Sequence, residues 1–391
     1  MDSFYISYTD IETNEVIKNI NNNYYWKFIL LIGSYYILPA LQFVFFQAHD
    51  ENVSCYFNFK CKKELGHIPA FNNFISNILY IILGMLFLVI VKLTYKKYTD
   101  GISSYGVNLD PALYYSLGLA LILEGICSGI YHICPSKLNF QFDTTFMFIG
   151  TALIFLTLYQ KRHYMDTLAP LKFFSIMALI VFINILPLSG VSSGVEIWFW
   201  SLIFLLIAYL VLFGSIYIYF GVEYDLNNRS INTLYNNIRA INKKTLPKFL
   251  LVLGINIFTL GMYIWAIITK PNFTDWMLAV FIINMLIYFL YYIAQKIIHR
   301  ETIKLIWWII LVIDIVIVSL SLFYFNYATT NKLLTPKQSR ELNKKCVLFN
   351  YFDDHDIWHF LSAIGLFIFI FLIYRIDAPL NNKVYNEISK F

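Results

Sequence analysis

The sequence predicts an all-α protein, a polytopic transmembrane helical bundle of about ten helices. Two features of the composition favour this fold class: 59% of the 391 residues are hydrophobic, and only 14% are charged. A typical soluble domain carries about 25% charged residues. The third observation is a series of apolar stretches of about 20 residues, which is the length that an α-helix needs to cross a bilayer.

Ten apolar segments are long enough to be membrane helices. Their predicted bounds are 26–48, 71–95, 111–134, 140–160, 168–188, 196–220, 247–268, 274–297, 304–325 and 355–375. The polar connections between them are too short to form a separate soluble domain. We therefore expect residues 1–25 to form a polar cytosolic tail, residues 26–376 to form the membrane bundle and residues 377–391 to form a second cytosolic tail.

The distribution of Lys and Arg predicts this orientation. With the N-terminus in the cytosol, 19 of the 29 Lys and Arg residues fall on the inner side and 10 fall on the outer side. Basic residues concentrate on the cytoplasmic side of membrane proteins. The outer connections at 49–70 and 326–354 are themselves basic, so the excess of Lys and Arg on the inner side is moderate.

Four of the five cysteines agree with the predicted orientation, because they fall on the outer side, where disulfide bonds form. These disulfide candidates, for which the sequence leaves all three pairings open, are Cys55, Cys61, Cys134 and Cys346. Cys127 lies within a predicted helix, and we expect a buried thiol there. The glycosylation sequons at Asn52 and Asn272 also fall outside.

Polar residues recur at helical spacing near the outer ends of three predicted helices. Ser128 and His132 are four residues apart, and so are His355 and His359, so each pair occupies one face of a helix. Asp143 begins the helix that follows His132. Three imidazoles at one membrane depth predict a Zn²⁺ site, since three protein ligands leave one coordination position for an activated water.

The residues at this predicted metal site allow more than one role. Asp143 either accepts a proton from the water or orients a ligand; its structural alternative is a carboxylate that accepts hydrogen bonds from the free N–H groups of a helix N-terminus. Ser128 either donates a hydrogen bond to a substrate or is a small residue that permits close helix packing. The pair His355 and His359, taken alone, is also compatible with two interfacial histidines.

The segment 355–359 has a further interpretation as a metalloprotease motif. Its sequence, HDIWH, is similar to HExxH, with Asp356 in the position of the general base. The aspartate side chain is shorter than glutamate, and this interpretation gives no role to His132 or Asp143. We therefore favour the three-histidine site.

Five stretches of the chain resemble the systemic RNA interference defective (SID) transmembrane family. They are YYILPALQ at 35–42, CYFNFKC at 55–61, AFNNFISN at 70–77, EGICSGIYHICPSKLNFQFDTTFMF at 124–148 and SRELNKKCVLFNYFDDHDIWHFLSA at 339–363. The polar set is also similar to that of the wider group that includes alkaline ceramidases and the progestin and adipoQ receptors. By this resemblance His132, His355 and His359 bind zinc, Asp143 assists the water and Ser128 completes the site.

The resemblance implies a multi-pass protein of the plasma membrane or an endolysosomal membrane that takes part in double-stranded RNA transport. It also implies membrane lipids as ligands, with cholesterol or ceramide among them, and a homodimer as the assembly. Members of the family usually carry a long extracellular β-rich region, implicated in binding double-stranded RNA, ahead of this part. We therefore expect a short form that lacks this region.

Three functions are consistent with the residues and the resemblance. The first is double-stranded RNA transport, although few Lys or Arg residues fall within the predicted helices to line a passage for phosphates. The second is a zinc-dependent lipid amide hydrolase that attacks a ceramide-like amide with an activated water. The third is a structural zinc ion that only holds three helices together.

Overall fold

The computed structural model describes residues 24–49, 55–99, 106–107, 111–136, 139–163, 169–185, 246–269, 273–327, 329–331, 334–384 and 387–389, with the single positions 202, 206, 209, 212, 271 and 391. Across these residues the regular structure is helical, apart from two isolated bridges in turns, at 65–68 and 348–352. The fold class predicted from the sequence is confirmed.

Eleven α-helices form in the described part of the chain. In chain order they are α1 (Tyr24–His49), α2 (Phe71–Ile75), α3 (Ile78–Thr99), α4 (Pro111–Ile133), α5 (Phe140–Gln160), α6 (Ala169–Ile185), α7 (Leu246–Thr269), α8 (Phe273–Ile298), α9 (Leu305–Asn326), α10 (Pro336–Glu341) and α11 (Asp354–Arg375). All but α2 and α10 are long. Each of these long helices agrees with its predicted segment to within three residues, except α3, which begins seven residues after the predicted start of its segment. The predicted segment 196–220 lies outside the described residues except at four helical positions.

Seven segments within the described ranges are long and apolar enough to cross a membrane. They are Phe71–Thr94, Pro111–Ile133, Phe140–Gln160, Phe249–Thr269, Phe273–Ile298, Leu305–Asn326 and Asp354–Leu380. The protein is therefore an integral, multi-pass membrane protein. Burial differs strongly among these helices: 78% of the most apolar window of α4 is buried, whereas only 11% of that of α9 is buried. Among these seven helices α4 is therefore the most buried, and α9 is the most exposed.

The chain forms two compact units, residues 1–185 with 287–390 and residues 186–286 with 391. In the first unit α4 packs against α1, α3 and α5, while α11 packs against α3 and α9. In the second unit the indole N–H of Trp276 donates to the carbonyl of Met262 at 3.0 Å, which joins the start of α8 to α7. All the predicted site residues that the structure describes belong to the first unit.

Glycines allow α3 and α4 to pack closely. A Cβ atom on Gly84 would lie 2.9 Å from the carbonyl oxygen of Gly118, and a Cβ atom on Gly125 would lie 2.9 Å from the carbonyl oxygen of Asn77. Small residues permit such close approach in membranes, where apolar side chains gain little by leaving lipid. This contact positions α4, and with it His132 in its last turn, against α3.

A buried ion network joins α5, α8 and α11 at the end of α5 opposite Asp143. The carboxylate of Asp377 pairs with Lys161 at 2.8 Å, Arg162 at 2.9 Å and Lys296 at 2.6 Å, and none of these four side chains is more than 2% exposed. Glu301 pairs with Arg162 and Lys296, each at 2.8 Å. Three cations therefore share two carboxylates in the interior.

Further hydrogen bonds complete this ion network. The hydroxyl of Tyr292 donates to Asp377 at 2.8 Å and accepts from Nε of Arg162 at 2.9 Å, and Lys161 also donates to the carbonyl of Ile373 in α11. Burial works against the charged form of Glu301, but hydrogen bonds from the two cations that it meets hold its pKa below the ordinary value. The network therefore fixes the ends of three helices, and the predicted second tail, 377–391, begins within it.

Candidate metal site and the loops that hold it

The structure brings the three predicted histidine ligands together. His132 lies in the last turn of α4, and His355 and His359 lie in the first turns of α11. The Nε2 atom of His132 is 2.9 Å from Nε2 of His359 and 3.3 Å from Nε2 of His355. One nitrogen from each ring lies within 4.8 Å of the others. His132 and His359 are 4% and 1% exposed, and His355 is half-buried.

This donor set fits one metal ion. Two nitrogens that bind a tetrahedral zinc ion at 2.0–2.1 Å lie about 3.3 Å apart, which is close to the separations between the rings. An imidazole nitrogen offers either one proton or one lone pair in the ring plane. Nε2 of His132 therefore cannot make a linear hydrogen bond to both neighbouring rings at once, whereas a shared cation satisfies all three nitrogens.

Ser128 and Asp143 form a polar wall beside the histidines. The hydroxyl of Ser128 donates to Oδ1 of Asp143 at 2.5 Å, and the same oxygen lies 3.9 Å from Nε2 of His132. Ser128 is 0% exposed and Asp143 is 3% exposed. The hydroxyl thus orients the carboxylate next to the ligand nitrogens, so the structure brings all five predicted residues into one site.

A capping box fixes the start of α11. The side chain of Asp353 accepts from the backbone N–H of Asp356 at 3.1 Å, and the side chain of Asp356 accepts from the backbone N–H of Asp353 at 3.0 Å. The amides of Asn58 and Asn72 donate to these two carboxylates, each at 2.9 Å. Asp356 is fully buried and holds the helix N-terminus, so the geometry favours a structural role over that of a metalloprotease base.

The four cysteines predicted on the outer side lie in two pairs. The sulfur atoms of Cys55 and Cys134 are 1.93 Å apart, and those of Cys61 and Cys346 are 2.04 Å apart. The first pair joins residue 55 to the chain two residues beyond His132. The fifth cysteine, Cys127, is a buried free thiol. The predicted sequons at Asn52 and Asn272 lie outside the described residues.

Two connections form one layer at the histidine end of the bundle, which we call the cap and define as residues 55–70 and 334–353. The disulfide-linked pair Cys61 and Cys346 joins these connections. The hydroxyl of Tyr56 donates to the carbonyl of Leu334 at 3.0 Å, and the N–H of Phe59 donates to the amide oxygen of Asn343 at 2.9 Å. The cap therefore couples the end of α4 to the start of α11, where the metal-binding candidates lie.

Fold and site together define a class, an integral helical membrane protein with a three-histidine cluster at one end of its bundle. A sequence model of the family described as the dsRNA-gated channel SID-1 matches residues 2–391. The chain therefore belongs to this family, as the resemblance of its motifs predicted.

Curated relatives agree with this assignment. The SID1 transmembrane family member 1 of Homo sapiens is 32% identical over 410 residues, which cover 99% of this chain and 49% of that protein. The Mus musculus protein of the same name is also 32% identical over 410 residues, with the same shares of both chains. Cholesterol uptake protein 1 of Caenorhabditis elegans is 30% identical over 386 residues, which cover 93% of this chain and 50% of that protein. The chain thus spans about half the length of these relatives.

Proposed function

We propose that this protein takes part in moving double-stranded RNA across a membrane and that its three clustered histidines bind Zn²⁺. The match of residues 2–391 to the dsRNA-gated channel family carries the first part. The convergence of three imidazole nitrogens within 4.8 Å supports the second part. The two cysteine pairs favour the oxidising side of the membrane for this end of the bundle, and we infer the cytosolic side for the ion network at the opposite end.

Each site residue has a distinct task in this proposal. His132, His355 and His359 would hold the ion between α4 and α11. Zinc, when bound, supplies a Lewis acid that polarises a carbonyl or a water. Asp143 would accept a proton beside the ligand nitrogens, and Ser128 would keep that carboxylate oriented through the 2.5 Å hydrogen bond.

Uptake of duplex RNA tests the transport proposal. We expect cells that express the chain to accumulate several-fold more fluorescent duplex RNA than matched cells without it, because lipid alone blocks a polyanion. Internal fluorescence is measured after nuclease removes RNA from the cell surface, and a DNA duplex of equal length is the control cargo. Equal RNA uptake in both cell lines, with the chain present at the surface, would contradict the proposal.

A second candidate function is a zinc-dependent lipid amide hydrolase, which the Ser128–Asp143 hydrogen bond 3.9 Å from a ligand nitrogen favours. Purified zinc-loaded protein would then release fatty acid from ceramide. The Asp143→Asn variant should lose about 10²–10⁴-fold in rate, because a positioned acid or base contributes that much. No fatty acid release from the zinc-loaded protein would exclude ceramide as substrate, and an active Asp143→Asn variant would remove this role from Asp143.

A further inference from the structure

The cap concentrates the positive charge of the chain. Its two connections contain seven Lys and Arg residues and three carboxylates, which leaves a net charge of +4, and the whole chain carries +5. One of these carboxylates, Asp353, is only 1% exposed, and another, Glu64, is paired with Lys62 at 2.5 Å. The seven cations are Lys60, Lys62, Lys63, Lys337, Arg340, Lys344 and Lys345.

The positive charge of the cap lies on the side of the membrane opposite to the one where basic residues usually concentrate. Basic residues direct a connection to the cytosol, whereas the cysteine pairs favour the oxidising side for the cap. The positive charge therefore opposes the orientation signal of the rest of the chain. A binding role outside the membrane accounts for it, and membrane insertion does not.

A disulfide bond joins the two connections that carry these cations. Cys61 and Cys346 are 285 residues apart in sequence, but their Cα atoms are 4.9 Å apart. Lys60 and Lys345, each adjacent to one of these cysteines, are therefore brought into the same region although they belong to different connections. A preorganised charged surface binds a polyanion with a smaller ordering cost than a flexible basic tail does.

Three of these cations lie beside aromatic rings that are themselves partly exposed, since Phe59 is 38% and Tyr327 is 48% exposed. The guanidinium of Arg340 lies 4.3 Å and the ammonium of Lys62 lies 5.4 Å from the ring centroid of Phe59. The ammonium of Lys344 lies 4.8 Å from the ring centroid of Tyr327. The cations Lys60, Arg340, Lys344 and Lys345 are exposed. Exposed cations favour contacts to phosphates, which a duplex presents without unpairing its bases.

We propose that the cap is a contact surface for the phosphate backbone of double-stranded RNA, with Lys60, Arg340, Lys344 and Lys345 as its exposed contact residues. This inference rests on the proposed function, which supplies the duplex as the partner, and it adds the place and the chemistry of contact. Binding is independent of base sequence because only phosphates are contacted. It weakens with salt, because each neutralised phosphate releases condensed counterions.

Duplex binding to the complete chain in phosphatidylcholine nanodiscs tests this surface. Fluorescence anisotropy gives the affinity for a short labelled RNA duplex over a series of salt concentrations. In the double variant Arg340→Gln/Lys344→Gln, we expect the slope of log affinity against log salt to shrink by about two, since two phosphate contacts are lost. The control Lys304→Gln/Lys383→Gln removes two exposed cations at the other end of the bundle, and we expect it to bind like the unchanged chain.

Each contrary outcome has a distinct meaning. An unchanged slope and affinity in Arg340→Gln/Lys344→Gln, or no duplex binding by the unchanged chain, would overturn the cap as the contact surface without touching the uptake result in cells. Equal binding of a single-stranded RNA of the same length would overturn the assignment to a duplex. Nanodisc binding without cellular uptake would instead contradict the transport proposal.

Discussion

Replacement of Asp377 by alanine is expected to destabilise the protein by about 3–5 kcal/mol, the cost of removing one partner from a buried ion pair. Asp377 pairs with Lys161, Arg162 and Lys296 within 2.9 Å. Without it, Arg162 and Lys296 would share the single carboxylate of Glu301, and Lys161 would lose its pairing with Asp377. Unfolding in mixed detergent micelles measures the loss, and the ends of α5, α8 and α11 should open first.

Two comparisons isolate the charge effect at Asp377. The control Glu64→Ala removes a carboxylate of similar kind from an exposed pair with Lys62, and such surface pairs contribute little, so its stability should not change measurably. In the double variant Asp377→Asn/Lys296→Met, one cation leaves with the anion, so the loss should be smaller than the sum of the two single losses. Additive losses, or an Asp377→Ala protein as stable as Glu64→Ala, would contradict the network.

Removal of the proposed zinc ion is expected to have the second large effect on stability. At a free zinc concentration about a hundred times the dissociation constant, binding adds about 2.7 kcal/mol to stability. The unchanged protein should lose this amount of stability when a chelator is added. The His132→Ala variant should lose the same amount without a chelator, because His132 faces both other histidines. A chelator should then have no further effect on His132→Ala, since both treatments remove the same ion.

The exposed His67 supplies the matched control for this comparison, since it lies in the cap and outside the histidine cluster. His67→Ala should keep the stability of the unchanged protein and its response to the chelator. A further variant, His359→Ala, distinguishes a purely structural ion from a functional one when both folding and duplex uptake are measured. A His359→Ala protein that folds but has lost duplex uptake assigns the ion to function, whereas a protein that no longer folds assigns it to the joining of α4 and α11.

The helices could be predicted from the sequence because length and apolarity alone define a membrane span. The segment predicted at 71–95 shows the limit of that signal, since the structure divides it into α2 (Phe71–Ile75) and α3 (Ile78–Thr99). Its polar start explains the break. Asn72 in α2 does not face lipid. It is fully buried, and its amide donates to Asp356, which is 284 residues away in sequence.

The histidine cluster was visible in the sequence because an i, i+4 pair shares one helix face and the depths of the two pairs matched. The residues that support it were less visible. The Asp353-x-x-Asp356 spacing before an apolar run is a local capping signal that sequence reasoning missed. Asn58 carried no such signal, because its partner Asp353 is 295 residues distant.

The ion network shows a second limit. Lys161 and Arg162 directly follow the predicted helix end, and a charge pattern alone assigns such residues to a solvated connection. Both are buried, at 0% and 1% exposure, because Asp377 follows α11 and meets them in the interior. No local pattern reports a charge partner that is more than 200 residues away, as the 216-residue separation of Lys161 and Asp377 illustrates.

Metal analysis combined with zinc X-ray absorption on the purified protein tests the central claim most directly. The account predicts one zinc ion per chain, bound by three imidazole nitrogens at about 2.0–2.1 Å, and its loss in His132→Ala but not in His67→Ala. A purified, folded protein without zinc after growth in zinc-replete medium, or one whose zinc content is the same in His132→Ala, would contradict it.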